Sequence, residues 1–176
     1  IVGVGLLGAS LGLALKERGL ARHVTGVGRR ETSLRTAQDR GAVDDATLNL
    51  LEGAAHADLV VIATPAALVA ETMDAMLPHL RPGAVVTDVA STKAAICAHA
   101  DATWPAPRRF IGSHPMAGSE QFGPEHGRAD LYEDSVCLVE SADGLDPQAH
   151  ARVTGLWGAV GARVVEGDSQ EHDALL

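Results

Sequence analysis

The sequence predicts an α/β fold with a doubly wound, mostly parallel sheet. Apolar runs typical of buried strands alternate along the chain with helical segments of about 10 to 15 residues. The first run ends in Gly3, Gly5 and Gly8, a GxGxxG arrangement at the start of an apolar-periodic helix. At 176 residues and 46% hydrophobic composition, the chain is long enough to bury one core. Together these features indicate a Rossmann-like domain, which we expect over residues 1–167.

The first half of the chain contains three strand–helix units in order. Gly19 is a stop signal for the first helix, and Pro65 opens the third helix, where its missing N–H has no cost. The run before Pro65 is almost continuously apolar, as in strands buried on both faces. The predicted strands are "IVGVG", "HVTGVG" and "ADLVVIAT", and the predicted helices are "LLGASLGLALKERG", "ETSLRTAQDRG" and "PAALVAETMDAMLPHL".

The second half continues the alternation. Its predicted strands are "GAVVTDVA", "RRFIGSH", "DSVCLVES" and "ARVVEG", and its predicted helices are "STKAAICAHADA" and "DPQAHARVTGLWGAVG". The chain starts in a strand without Met and stops at "EHDALL", a pattern that enters a helix without a stop signal. We therefore expect it to be a piece of a longer protein.

Composition argues against several classes of partner. A net charge of −9 and 3% aromatic residues do not suit binding of nucleic acid, which needs a positive face. No apolar run has membrane-spanning length, and Cys97 and Cys137 lack metal-ligand spacing, so free thiols in the cytoplasm are expected. We expect no metal site, because the histidines outside the motifs below have no partners at ligand spacing. These are His23, His56, His79, His99, His126 and His150.

The glycine motif predicts a dinucleotide site. Gly3 permits a tight turn, Gly5 lets a pyrophosphate approach the backbone, and Gly8 lets the helix pack on the strand. Leu6 and Leu7 complete the loop, whose helix N-terminus offers free N–H groups to phosphates. The alternative is a tight strand-to-helix turn with no ligand.

The end of the second strand bears on the choice of cofactor. NAD-binding domains usually place a carboxylate there, whereas this chain has Arg29 and Arg30, which would pair with a 2′-phosphate. NADP is therefore favoured over NAD. Two alternatives stay open: the arginines are a solvated pair, or Glu31 binds the ribose as in NAD enzymes.

Two further strand ends reach the same edge of the predicted sheet. Thr64 and Pro65 follow the third strand, where the backbone can approach the cofactor. After the fourth strand, Ser91 and Lys93 could face the nicotinamide, although Ser91 or the threonine after it is also a good helix N-cap. We expect Asp88 to accept hydrogen bonds locally within the turn.

A histidine follows the fifth strand in the stretch "GSHPMAGSE". His114 has a side chain whose ordinary pKa is near neutrality, and we expect it beside the nicotinamide position. Removal of a hydroxyl proton during hydride transfer requires such a group. His114 is therefore the candidate catalytic base, the alternative being a solvated loop histidine.

The sequence also resembles a known family. The motifs "IVGVGLLGASLGLALK", "DVASTK", "GSHPMAGSE" and "LYEDSVCLV" are similar to the nucleotide-binding domain of prephenate and arogenate dehydrogenases. The resemblance covers essentially the whole chain, and "GSHPMAGSE" is its most specific part. It implies that residues 168–176 begin a helical dimerisation domain, so that the complete protein is a homodimer.

The resemblance implies NAD(P)-dependent oxidative decarboxylation of prephenate or arogenate in tyrosine biosynthesis. His114 matches the family histidine that accepts the hydroxyl proton, and Ser91 matches a serine close to it. Ser119 and His172 match positions at the substrate. The family's carboxylate-binding arginine would lie beyond residue 176, so turnover by this chain alone is not expected. Arg29 and Arg30 depart from the acidic pattern of NAD-using members.

Two other functions stay open on the sequence. A 3-hydroxyacid or imine dehydrogenase would share the glycine loop, but "GSHPMAGSE" argues against it. A dinucleotide-sensing module without catalysis would need the glycine loop and nothing at His114. The sequence does not separate prephenate from arogenate as the substrate.

Overall fold

The computed structural model describes residues 1–176 and has the predicted α/β, Rossmann-like architecture. The helices are α1 Leu6–Glu17, α2 Glu31–Asp39, α3 Leu50–Ala54, α4 Val69–Met76, α5 Ala94–Thr103, α6 Pro147–Ala159 and α7 Ser169–Asp173. The strands are β1 Thr25–Val27, β2 Asp45–Thr47, β3 Leu59–Ile62, β4 Val85–Asp88, β5 Phe110–Ile111, β6 Ser113–Pro115, β7 Val136–Glu140 and β8 Arg163–Gly167.

The parallel sheet is centred on the N-terminal segment. Val2 bridges β1 on one side and β3 on the other, both in parallel, while β1 pairs with β2, and β3 with β4 and β5. The strand predicted over residues 1–5 is thus reduced to a bridge, since Gly3 leaves the extended conformation at φ +99°. The order of the strands across the sheet reverses direction at this segment, and ligands of open α/β sheets bind at such a switch point.

A second set of strands follows β5. Strand β6 runs antiparallel to β7, and β7 pairs in parallel with β8. The chain bends at Gly112, whose N–H donates to the buried Glu140 carboxylate at 3.1 Å. The predicted strand "RRFIGSH" is thus divided into β5 in the parallel sheet and the antiparallel β6, within which His114 lies opposite Leu138. The cause is the antiparallel pairing with β7, which the local sequence does not reveal.

Apolar side chains pack on both faces of the sheet. Along β3, Val61 faces a core with α1 and α6, whereas Val60 and Ile62 face a core with α4 and α5. This confirms that the strand is buried on both faces. Cys97 and Cys137 are free, as expected, and both are buried. The structure contains no helix with the length and apolar character needed to cross a membrane.

The helix predicted from Pro65 is less regular than expected. A 3₁₀ turn at Ala66–Leu68 precedes α4, and a second 3₁₀ turn at Leu77–His79 follows it. Pro78 lies in the second turn, where its ring does not allow the α-helix to continue.

Candidate functional site

The glycine loop combines two glycines that packing requires with one that faces open space. A Cβ on Gly3 would lie 2.5 Å from the Ala63 carbonyl oxygen, and one on Gly8 would lie 1.9 Å from the Gly3 oxygen. Neither position tolerates a side chain. A Cβ on Gly5 would meet nothing within 4 Å, so the loop presents bare backbone to open space at Gly5.

Helix α1 starts at this loop with an open N-terminus. Gly5 provides no side-chain cap, and the first turn contains no acidic residue. The N–H groups of Leu6, Leu7 and Gly8 have no acceptor within the helix, as in any first turn, and no other group of the protein accepts them. Tyr132 fixes the turn, since its hydroxyl donates to the Leu7 carbonyl at 2.7 Å. An anion at this position would meet free donors and the positive end of the helix dipole.

Thr64 follows β3 at the same edge, directly after Ala63, which packs on Gly3. Its hydroxyl oxygen is buried and has no hydrogen-bond partner in the protein. Buried polar groups are normally paired, so an unpaired hydroxyl here suits a polar ligand. Pro65, the next residue, is exposed. These features, together with the open face of Gly5, fit a bound dinucleotide.

Two unpaired guanidiniums lie after β1. Arg29 and Arg30 are exposed and form no salt bridge or side-chain hydrogen bond with the protein. Glu31, the alternative ribose ligand, pairs with Arg35 at 2.8 Å across one turn of α2. The two arginines are thus free to meet an anion, whereas the Glu31 carboxylate already has a cation beside it.

His114 is joined to a second histidine from the C-terminal end of the chain. Its Nδ1 lies 3.0 Å from Nε2 of His172, and the two rings meet edge to face with centroids 5.1 Å apart. His172 belongs to α7 and is only 6% exposed. Its Nδ1 lies 2.9 Å from Oδ1 of Asp173. The sequence predicted both histidines but not the bond between them.

Asp173 also holds the start of α5. Its carboxylate accepts from the N–H of Lys93 at 2.8 Å and from that of Ala94 at 2.8 Å. The prediction that Ser91 or Thr92 caps this helix is therefore wrong, because a carboxylate 80 residues away occupies the capping position. Ser91 is exposed, and its hydroxyl binds no other group of the protein, so it stays available to a ligand.

Lys93 does not lie at the open edge of the sheet. Its side chain is fully buried, and its Nζ binds the equally buried carboxylate of Asp88. Asp88 also accepts from the N–H of Ala90 at 3.0 Å and of Ser113 at 3.2 Å, in keeping with the predicted local role. The possibility that Lys93 faces the nicotinamide is therefore corrected: its charge stays inside the fold.

The surroundings of His114 favour the neutral imidazole. Partial burial, followed by the charges of His172 and Lys93, lowers its pKa to about 4, and Asp173 opposes them. Burial works to raise the pKa of Asp173, but the hydrogen bonds from His172, Lys93 and Ala94 outweigh it and hold that pKa below its ordinary value. Near neutral pH, His114 is thus a neutral base joined through His172 to an ionised carboxylate.

Ser119 lies apart from this network. It is exposed, and its hydroxyl accepts from the N–H of Gln121 at 3.1 Å in a local turn. The same loop exposes Phe122 by 84%. The structure thus brings His114 and His172 together but gives Ser119 no hydrogen bond to either.

Asp173 is the main residue that the sequence did not reveal. The one available signal was its position directly after His172, since a carboxylate beside a histidine can orient the ring. Its bonds to Lys93 and Ala94 depend on how α7 packs against α5, which no local pattern specifies.

Comparison with known proteins identifies the family. The family model described as "Prephenate dehydrogenase, nucleotide-binding domain" matches residues 11–166. The chain belongs to this family. The prephenate dehydrogenase of Bacillus subtilis is 31% identical over 180 residues, a match that covers 99% of this chain and 47% of that protein.

Solved structures of the prephenate dehydrogenase family have the same fold. The Aquifex aeolicus prephenate dehydrogenase, in complex with hydroxyphenyl propionate and NAD⁺, matches with a TM-score of 0.92 and 26% identity over 99% of this chain and 60% of its own. The Synechocystis arogenate dehydrogenase matches with a TM-score of 0.90 and 32% identity over 99% of this chain and 60% of its own. The chain spans about half the length of the curated relatives it matches.

Proposed function

We propose that the protein containing this chain catalyses NAD(P)-dependent oxidative decarboxylation of prephenate or arogenate, a step of tyrosine biosynthesis. The observation that supports this most directly is His114, a partly buried and neutral imidazole fixed in β6. A family member with such a base can remove the substrate's hydroxyl proton. The similar proteins include a prephenate dehydrogenase and an arogenate dehydrogenase, and the choice between the two substrates stays open.

His114 acts in this proposal as the general base. It accepts the proton of the ring hydroxyl while the carbon that bears the hydroxyl loses hydride and the carboxylate departs as carbon dioxide. The nicotinamide, when bound, supplies the hydride acceptor. The free hydroxyl of Ser91 orients the reacting hydroxyl beside His114, and aromatisation of the ring drives the step.

The glycine loop and the two neighbouring strand ends would hold the cofactor. The pyrophosphate would bind the first-turn N–H groups of α1, and Thr64 would provide a hydroxyl at the edge of the sheet. We propose NADP as the preferred cofactor, because Arg29 and Arg30 are unpaired. The proposed set is Gly3, Gly5, Leu6, Leu7, Gly8, Arg29, Arg30, Thr64, Pro65 and Ser91.

Three further assignments stay predictions. Ser119 and His172 are proposed to lie at the substrate. Residues 1–167 are proposed as the dinucleotide-binding domain, with residues 168–176 as the start of a helical domain. The helical domain would also form the contacts of a homodimer.

The test uses the full-length enzyme with His114→Asn. We expect turnover of prephenate or arogenate, followed through nicotinamide absorbance, to fall by roughly 10² to 10⁴-fold, since general base catalysis contributes that much. Binding of NAD(P) should stay within about twofold. His56→Asn, at an exposed histidine, is the matched control and should leave both unchanged. Unchanged turnover in His114→Asn would remove the base from the mechanism, and no turnover by the wild type would favour a dinucleotide-sensing module.

A further inference from the structure

A closed ring of interactions surrounds the candidate base. From His114 it runs to His172 at 3.0 Å, then to Asp173 at 2.9 Å, and from there to the N–H of Lys93 at 2.8 Å. The Lys93 side chain binds Asp88, which accepts from the N–H of Ser113, the residue before His114. The ring thus holds His114 both through its imidazole and through its backbone.

The hydrogen bonds fix where the imidazole protons lie. An ionised carboxylate only accepts hydrogen bonds, so Asp173 requires the proton of His172 on Nδ1. When His172 carries this one proton, its Nε2 is an acceptor, and His114 must donate to it from Nδ1. This leaves Nε2 of His114 unprotonated, the state that a general base needs.

We infer that Asp173 is a positioning residue that sets the tautomer of His114 through His172. This inference rests on the proposed function only for its effect on rate, because the tautomer itself is a property of the free protein. It also gives His172 a role in orienting His114, in addition to any contact with the substrate. Asp173 stays ionised throughout and stabilises the imidazolium that forms when His114 takes the proton.

The capping geometry supplies a sharp variant. In Asp173→Asn the amide oxygen can take the position of Oδ2, which lies 3.1 Å from the Lys93 nitrogen and 2.8 Å from the Ala94 nitrogen, so both N–H groups keep an acceptor and α5 keeps its cap. The amide NH₂ then faces His172 and donates to Nδ1, which moves the His172 proton to Nε2. His172 would in turn donate to Nδ1 of His114 and force the His114 proton onto Nε2. The base would be blocked while the fold is preserved.

The matched control is Asp168→Asn. The Asp168 side chain caps α7 itself, accepting from the N–H of Gln170 at 2.8 Å and of Glu171 at 2.9 Å, and it forms no hydrogen bond with either histidine. Its backbone carbonyl, which the substitution retains, accepts from the N–H of His172 at 3.0 Å. Asparagine is an equally good N-cap, so this variant should behave as the wild type. A second test variant, His172→Gln, removes the imidazole through which Asp173 acts on His114.

The first measurement is the ¹⁵N NMR shift of the His114 ring nitrogens in the full-length protein, which separates protonated from unprotonated nitrogens. We expect an unprotonated Nε2 in the wild type and in Asp168→Asn, and a protonated Nε2 in Asp173→Asn. A wild-type Nε2 that carries the proton, or an unchanged tautomer in both test variants, would overturn the inference whether or not the enzyme turns over either substrate.

The second measurement is the pH profile of kcat/KM in the full-length enzyme. A wrong tautomer lowers kcat by roughly 10² to 10⁴-fold, as in other base–orienter pairs, with the KM for cofactor unchanged. Loss of the Asp173 charge should also move the acid limb to lower pH, since that carboxylate raises the pKa of His114. If Asp173 had only a structural role, replacing it would let water reach His114. The pKa of His114 would then rise towards its ordinary value, and the acid limb would move to higher pH. That upward shift, or a kcat within about threefold of the wild type, would overturn the inference. Absent turnover in the wild type alone would instead count against the proposed function.

Discussion

The proposed cofactor edge, which comprises the glycine loop, Thr64 and the two arginines after β1, differs from the centre formed by His114, His172 and Asp173 in how its polar groups are paired. At the cofactor edge, Arg29, Arg30 and the Thr64 hydroxyl have no partners in the protein. At the centre, both His114 and Asp173 are hydrogen-bonded within one network. The difference shows two ways to prepare a site: free donors await a charged ligand, whereas a paired network fixes a base before the substrate arrives.

The largest effect is expected from a substitution that breaks the paired network. Lys93→Met leaves the Asp88 carboxylate buried without its cation, and breaking such a pair costs about 3–5 kcal/mol of unfolding free energy. Urea denaturation measures this loss of unfolding free energy. Lys16→Met, which removes the partly exposed ion pair with Asp44, is the control and should cost less than about 1 kcal/mol. Equal losses in the two variants would contradict the distinction between buried and exposed pairs.

The next effect separates packing from ligand access within the glycine loop. Gly8→Ala places a methyl group against the Gly3 carbonyl and should cost about 1–3 kcal/mol or more, because the backbone must shift. Gly5→Ala meets no atom within 4 Å and should leave the melting temperature nearly unchanged, while weakening dinucleotide binding. If Gly5→Ala binds the dinucleotide as tightly as the wild type, the open face of Gly5 does not receive the pyrophosphate.

The smallest expected effect tests the free guanidiniums. Arg29→Ala should weaken NADP binding by about tenfold, the value of one charge-assisted hydrogen bond, and leave NAD binding within about twofold. Calorimetric titration at low and high salt measures both, and the loss should shrink at high salt. Arg22→Ala, at another exposed arginine, is the control. Tighter NAD than NADP binding in the wild type would instead favour Glu31 as the ribose ligand.

Much of the cofactor edge was readable from the sequence because its signals are local. The spacing of Gly3, Gly5 and Gly8 is a property of one turn, and the alternation of strands and helices brings strand ends to one edge. The two departures from the predicted elements also have local causes. The strand predicted over residues 1–5 is shortened to a bridge, and the helix after Pro65 ends in a 3₁₀ turn at Leu77–His79, because Gly3 and Pro78 impose their own backbone geometry.

The centre depended on contacts that no local pattern contains. The sequence by itself determined the fold class, the glycine loop and the identity of His114 as the candidate base. Only the tertiary structure decided that His114 lies in an antiparallel strand, that Lys93 points into the core, and that Asp173 caps α5. The physical reason is that these features depend on packing and burial between segments distant in the sequence, such as β6 with β7 and Asp173 with the N–H of Lys93, 80 residues away.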